Sequence, residues 1–304
     1  MGVTARTLLW LADRRNAQKL ISRASLTRRV AQRFVAGEHI EEAIDALRRL
    51  HARGLDGILN LLGEGVTDST DAEGAAIAYV EAIAAATAAG VPTTVSIKLT
   101  QLGLVFDRLE CQARLRRIGD TAAAAELGLE VDMEQSDHVT ATIDAYLGAG
   151  LATLPRLAVQ AYLHRTPEDL RTLIPLGVRV RLVKGAYLEP RRTAIQDARS
   201  ISGRFGELAT LLLESGDDPA FATHDSSLID HVAREARRLG RDQQTFEFQM
   251  LYGVRRDLQL RLADGGFRVR VYVPFGSGWY PYLVRRLAER PANLRFFARA
   301  LVGR

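Results

Sequence analysis

Residues 94–99 read TVSIKL, in which apolar Val95, Ile97 and Leu99 alternate with polar Ser96 and Lys98, and Thr100 continues the polar set. Side chains alternate across a strand, so the apolar set lies under a covering layer while the polar set faces the other way. The same period recurs in LEVDME at Leu129–Glu134, VRVRLVK at Val178–Lys184, TFEFQM at Thr245–Met250 and RVRVYV at Arg268–Val273. GILNLL at Gly57–Leu62, RLAVQ at Arg156–Gln160 and AFAT at Ala220–Thr223 complete eight candidate strands. Stretches of helical length separate them, among them 72–89, 108–126, 137–149, 167–173, 191–214 and 226–238. Glycines at 90, 128, 150, 177, 216, 240 and 265–266 sit where a helix hands over to the next strand through a left-handed residue.

Strand–helix repeats spaced roughly 30 residues apart, with no linker between them, predict an α/β chain folded as one (β/α)8 TIM-type barrel. A doubly wound sheet is disfavoured because no G-x-G-x-x-G follows a strand; Gly276-Ser-Gly278 lacks the third glycine and the acidic residue beyond it. Residues 1–54 read as an N-terminal helical appendage and 55–304 as the barrel domain.

Helices cover the outside of such a barrel, so the apolar faces must point outward and the charged faces inward. Lys98, Asp132 and Arg181, nearest the C-terminal strand ends, then reach the mouth, where active sites of this fold lie. Glu130 and Arg179 lie deeper and read as structural charges. The 280–289 segment, YPYLVRRLAE, places adjacent guanidiniums at Arg285 and Arg286 on a helix. With Lys98 these suit a carboxylate, and the rings of Tyr272 and Tyr282 suit the apolar remainder of a small ligand. Lys184 precedes Gly185, which lets backbone approach a phosphate or ring system. His224 ends the sixth strand.

Composition narrows the classes further. The 304 residues carry 41 Lys and Arg against 36 Asp and Glu, and only Lys19, Lys98 and Lys184 are lysines. The net charge of +5 permits contact with anionic lipid or small anions, while scattered arginines and 7% aromatics argue against a nucleic-acid reader. Cys111, the one cysteine, reads as an inert thiol in a reducing compartment. No apolar run approaches the ~18 residues of a membrane span, and the N-terminus lacks a secretory pattern, so a cytoplasmic protein is expected. The six histidines show no metal-ligand spacing and no G-x-S-x-G elbow is present, so no metal site is expected.

The segments SIKL at 96–99, VDM at 131–133, VQAY at 159–162, RLVKGAY at 181–187, ATHD at 222–225, FEFQMLYG at 246–253 and YLVRRLAE at 282–289 resemble, in order, the proline dehydrogenase family in its stand-alone bacterial form. The resemblance implies a distorted (β/α)8 barrel, FAD as cofactor and oxidation of L-proline to Δ1-pyrroline-5-carboxylate, with hydride passing from proline C5 to the flavin N5. It also implies a membrane quinone as electron acceptor, hence peripheral membrane contact, and a separate pyrroline-5-carboxylate dehydrogenase downstream. By resemblance, Asp132 and Arg181 take the catalytic positions. Lys98, Arg285 and Arg286 bind the substrate carboxylate, Tyr272 and Tyr282 wall the pocket, and Met133, Gln160, Lys184, Gly185, Ala186, Thr223 and His224 contact FAD. Outside it, a Schiff-base barrel enzyme using Lys98 or Lys184 as nucleophile is the alternative.

Overall fold

The computed structural model describes residues 33–63, 65–280 and 282–283. Helix α1 (Ile40–His51) precedes strand β1 (Asp56–Leu61); seven strand–helix alternations then follow. They run α2 (Ser69–Ala88), β2 (Thr93–Ile97), α3 (Arg108–Ala124), β3 (Gly128–Val131), α4 (Val139–Gly148), β4 (Arg156–Gln160), α5 (Thr166–Leu173), β5 (Val180–Val183), α6 (Ala198–Ser215), β6 (Ala220–Ala222), α7 (Ser226–Arg238), β7 (Glu247–Leu251), α8 (Arg256–Asp264) and β8 (Arg268–Phe275). All eight strands pair in parallel with their sequence neighbours, and β8 closes on β1 from Asp56↔Arg270 to Leu61↔Phe275. The expected barrel is the observed one.

Local chemistry starts several of these helices at the mouth. Asp68, Asp107, Asp197 and Asp225 each accept a backbone N–H in the first turn of α2, α3, α6 and α7, a contribution of about 1 kcal/mol per cap. The buried stripe of α2 (Ala76, Tyr79, Ala82, Ile83, Ala86) packs with outward-facing Val95, Ile97 and Leu99 in one apolar core. On the far side Phe221, Phe246, Phe248 and Phe267 meet edge to face or tilted, with centroids 5.4–6.4 Å apart. Cys111 lies fully buried in this core, its thiol pushed up to about 12 by burial.

Three local readings need correction. Residues 191–197 are not helical: Thr193 and Ala194 turn back on Pro190, Ala194 bridges to Leu163, and α6 begins only after the Asp197 cap. Helix α8 is absent from the sequence reading. It starts from left-handed Arg255 (φ 50°), which carries no side-chain cap and hence no capping signal. Gly216 has φ −85°, and Gly128 is not left-handed; the left-handed residues before β3 and β6 are Glu126 (φ 56°) and Asp218 (φ 38°).

The barrel departs from regularity at its closing seam. Helix α1 lies against β8 and β1, the slot that a helix following β8 fills in a regular barrel. Ala36 N donates to Pro274 O, Gly276 N donates to Gly37 O, and Trp279 Nε1 donates to Glu38. Of the described residues after β8, Gly278 and Tyr282 line the cavity at the mouth.

Candidate active site

The inward-facing polar side chains form two levels. At the lower level, Arg156 Nη1 donates to Glu130 Oε1 (2.8 Å) and Glu247 Oε1 (2.9 Å), and Nη2 donates to Asp218 Oδ2 (2.6 Å). Arg270 and Arg268 complete the Glu247 carboxylate, and Gln249 donates to Glu130 at 2.6 Å. Burial by itself would raise the Glu247 carboxyl, but Arg270 and Arg156 more than offset it and hold the group well below the usual range. Glu130 is structural, as expected. Arg179 does not join this level; its guanidinium donates to the Leu154 carbonyl. Arg181 Nη1, 3.9 Å from Glu130 Oε2, links the lower level to the upper.

The upper level centres on Asp132, just beyond β3, whose N–H still pairs with Ile97 O and so stays in register with β2. Arg181 Nη1 lies 2.7 Å from Oδ1 and Lys98 Nζ 3.2 Å from Oδ2, and the Tyr272 hydroxyl donates to Oδ2. The Arg181 guanidinium also sits over the Tyr272 ring, 4.8 Å from its centroid. Lys98 donates to Asn60 Oδ1 at 2.9 Å. Burial would raise the Asp132 carboxyl, yet the Lys98 and Arg181 charges and the Tyr272 hydrogen bond take it below its ordinary value. Burial would likewise lower Lys98, yet Asp132 holds it above its ordinary value. Burial and the adjacent Asp132 charge raise the Tyr272 phenol well above the usual range. Asp132 is thus anionic, Lys98 cationic and Tyr272 protonated at neutral pH. A Schiff-base lysine needs the opposite shift, so Lys98 is not poised as a nucleophile.

Around this hub opens a cavity of about 900 Å³ at the C-terminal end of the strands. Lys98, Asp132, Met133, Gln160, Arg181, Lys184, Gly185, Ala186, Thr223, His224, Tyr272 and Tyr282 all line it. Arg285 and Arg286 lie outside the described residues. Lys184 donates to Asp225 Oδ2 (2.9 Å) and Ser202 Oγ (3.0 Å), so a second cation is fixed at the rim. Gln160 donates to Glu134 O, and the Ala186 N–H donates to its Oε1. The Leu251 N–H donates to His224 Nε2 at 2.9 Å, which assigns the ring proton to Nδ1. Gly185 has φ +127°, and a Cβ there would stand 2.3 Å from the Tyr162 ring; only glycine fits.

Sequence reasoning missed the residues that hold this set in place. Asn60 is the one polar residue in an apolar run and was detectable on that ground. Asp225 was visible only as the residue after His224, and the Thr100–Glu134 hydrogen bond (2.8 Å) joins two loops that no spacing rule connects.

The cavity volume lies within the range of cofactor sites, and its lining suits an anionic, ring-bearing ligand such as FAD. Arg181 Nε is buried without a hydrogen-bond partner, which leaves a donor for a ligand acceptor. Lys184 supplies a cation beside the Gly185 backbone, where a side chain would stand in the way.

Comparison with known proteins shows what the chain is similar to. Residues 43–299 match the profile of the family described as proline dehydrogenase. "Proline dehydrogenase" from Deinococcus radiodurans is 38% identical, covering 98% of this chain and 97% of that protein. "Proline dehydrogenase 1" from Bacillus subtilis is 36% identical, with 97% of each covered. Among solved structures, proline utilization A from Bdellovibrio bacteriovorus, inactivated by N-propargylglycine, superposes with a TM-score of 0.81 at 24% identity. The match covers 86% of this chain and 33% of that much longer one, a likeness of fold.

Proposed function

Since the chain belongs to the proline dehydrogenase family and so is an enzyme that oxidises proline, we propose that it does so with FAD, converting L-proline to Δ1-pyrroline-5-carboxylate in the mouth cavity. The reading carries the electrons on to a membrane quinone, with peripheral contact at the inner face of the cytoplasmic membrane. A separate pyrroline-5-carboxylate dehydrogenase then completes the oxidation. The observation that carries the reading is the Asp132 hub: an anion fixed by Lys98, Arg181 and Tyr272 on the floor of a cavity of cofactor size.

FAD, when bound, supplies the two-electron acceptor for the hydride that leaves proline C5. Met133, Gln160, Lys184, Gly185, Ala186, Thr223 and His224 are the residues that would hold it. Lys98, together with Arg285 and Arg286, binds the proline carboxylate. Asp132 keeps Lys98 cationic and correctly placed, and it holds Arg181 against the Tyr272 ring. Because Asp132 is already saturated by donors and held ionised, it orients and does not act as the base. The proline nitrogen must therefore lose its proton to solvent before its lone pair can assist hydride departure. Tyr272 and Tyr282 wall the ring and exclude water.

The test is turnover by the FAD-loaded enzyme with an electron-accepting dye. The cyclic imine should be the product, and kcat/KM for proline should rise from neutral toward alkaline pH as the free amine accumulates. Lys98, held above its ordinary value, leaves that rise intact. A flat profile, or a different product, contradicts the reading.

A further inference from the structure

Strands β3 and β5 are not neighbours in the barrel; β4 lies between them, so no strand pairing sets the distance between the connections that leave their C-terminal ends. Those connections, residues 132–138 after β3 and 184–197 after β5, wall the cavity on either side of Gln160, through Met133 to Gln135 on one and Lys184 to Tyr187 on the other. Two side-chain ties cross β4 between them. In the inner tie Gln160 Nε2 donates to Glu134 O at 2.9 Å, but the Ala186 N–H reaches Gln160 Oε1 only at 3.4 Å, which is long for a hydrogen bond. The outer tie is shorter and made to a carboxylate: the Ser136 N–H donates to Glu189 Oε1 at 2.7 Å, and the Ser136 hydroxyl donates to Oε2. Hydrogen bonds to an ionised group are roughly twice as strong as neutral ones, so the outer tie is the stronger restraint.

The chain around Glu189 is braced to present it. Further along the same connection, Ile195 N donates to Tyr162 O, His164 N donates to Thr193 O and Ala194 bridges to Leu163, which fastens the segment to the chain just after β4. Gln196 Nε2 donates to Glu189 O, and Pro190 follows with its φ fixed by its ring. From that braced segment Glu189 reaches to the β3 side. Ser136 and Glu189 are both half-buried and neither lines the cavity, so a ligand held there is shaped by them without touching them.

We propose that Glu189 is a positioning residue for the cofactor: by clasping Ser136 across β4, it sets the separation of the two walls between which FAD is held. The inference rests on the FAD reading, in which Met133 belongs to one wall and Lys184, Gly185 and Ala186 to the other. Lys98 and Tyr272, which face the substrate, come from β2 and β8 and lie outside the clasp.

The test loads the parent, Glu189→Ala, Glu189→Gln and Ser136→Ala with FAD and follows release of the flavin after dilution by the recovery of its fluorescence. The KM for proline is measured beside it, in excess FAD with an electron-accepting dye. Glu189→Ala loses both bonds and should release FAD about tenfold faster or more, the worth of a hydrogen bond to a charged group, with the proline KM unchanged. Glu189→Gln keeps both partners, its Oε1 accepting from the Ser136 N–H and its Nε2 donating to the Ser136 oxygen, and should stay close to the parent. Ser136→Ala keeps the backbone bond and should fall between; it decides the matter where Glu189→Ala does not fold.

Parent-like release from both Glu189→Ala and Ser136→Ala overturns the inference and leaves the FAD reading standing. Release from Glu189→Gln as fast as from Glu189→Ala also overturns it, since the charge and not the clasp would then hold the flavin. A proline KM that rises in step with FAD release does the same, because it marks a general loosening of the mouth. A parent that takes up no FAD overturns the cofactor reading and this inference with it.

Discussion

Asp132 receives a lysine, an arginine and a tyrosine hydroxyl at once, and this sets what each partner can do. Replacing it by Asn removes the ion pair that Lys98 makes and leaves Arg181 only the more distant Glu130, at 3.9 Å, a change that costs ~3–5 kcal/mol of stability for a buried pair. Asp132→Asn is expected to fold with a lowered melting temperature and to lose about 100-fold or more in kcat/KM for proline, because the cations no longer hold position. Parent-like kinetics would remove Asp132 from the account. Tyr272 separates into two functions. Tyr272→Phe keeps the ring beneath Arg181 and loses the hydrogen bond to Asp132, so kcat/KM should fall by roughly tenfold, the worth of a hydrogen bond to a charged group. Tyr272→Ser also removes the ring and enlarges the pocket, and should shift relative kcat/KM toward hydroxyproline; an unchanged ratio would contradict Tyr272 as a wall. These roles were legible as far as strand alternation reaches. It put Lys98, Asp132, Arg181 and Tyr272 on inward faces, but it could not show that four different strands or strand ends deliver them to one carboxylate.

At the scale of the element, the lower ionic level makes the inward faces of β3, β4, β7 and β8 mutually dependent. Glu247, fully buried among Arg156, Arg268 and Arg270, is its clearest test. Its carboxyl is held below the ordinary range, so its contribution is complete above the unfolded carboxylate value and is lost as pH falls through the folded value. Glu247→Gln should lower the melting temperature at pH 7, corresponding to ~3–5 kcal/mol for a broken buried pair. The gap from the parent should begin to narrow below about pH 4, where the unfolded carboxylate takes up its proton, and close only as pH falls to about 2, where the folded one does. An equal gap at both extremes would show that Glu247 acts through packing. Five of the eight strands were readable because a barrel with a polar interior preserves strict alternation, as in TVSIKL; GILNLL, RLAVQ and AFAT were readable only as short apolar runs between helical stretches. Element ends were readable where a short-range signal exists, such as the left-handed glycines at 90, 150, 177, 240 and 266. They were hidden where tertiary contacts override it: Glu126 and Asp218 take left-handed backbone without being glycine, and Arg255 opens α8 with no cap.

For the molecule as a whole, α1 packs against β8 and β1, and Gly278 and Tyr282, beyond β8, line the cavity. The resemblance to proline dehydrogenases implied a distorted barrel without saying where, and periodicity could not place α1, because a helix at either place has the same amphipathic pattern. The proposed cofactor, FAD, left no periodic signal for a related reason. The cavity is assembled from side chains and backbone at several strand ends, without the glycine-rich strand–turn–helix that marks a dinucleotide site in a doubly wound sheet. Among the described residues, no helix is long and apolar enough to cross a membrane. The most direct test of the central claim is the visible spectrum of the FAD-reconstituted protein before and after anaerobic addition of L-proline. The account expects a flavin absorption band that bleaches on adding proline and returns on adding an electron acceptor. A band that proline leaves unchanged, or a protein that takes up no FAD, would contradict it.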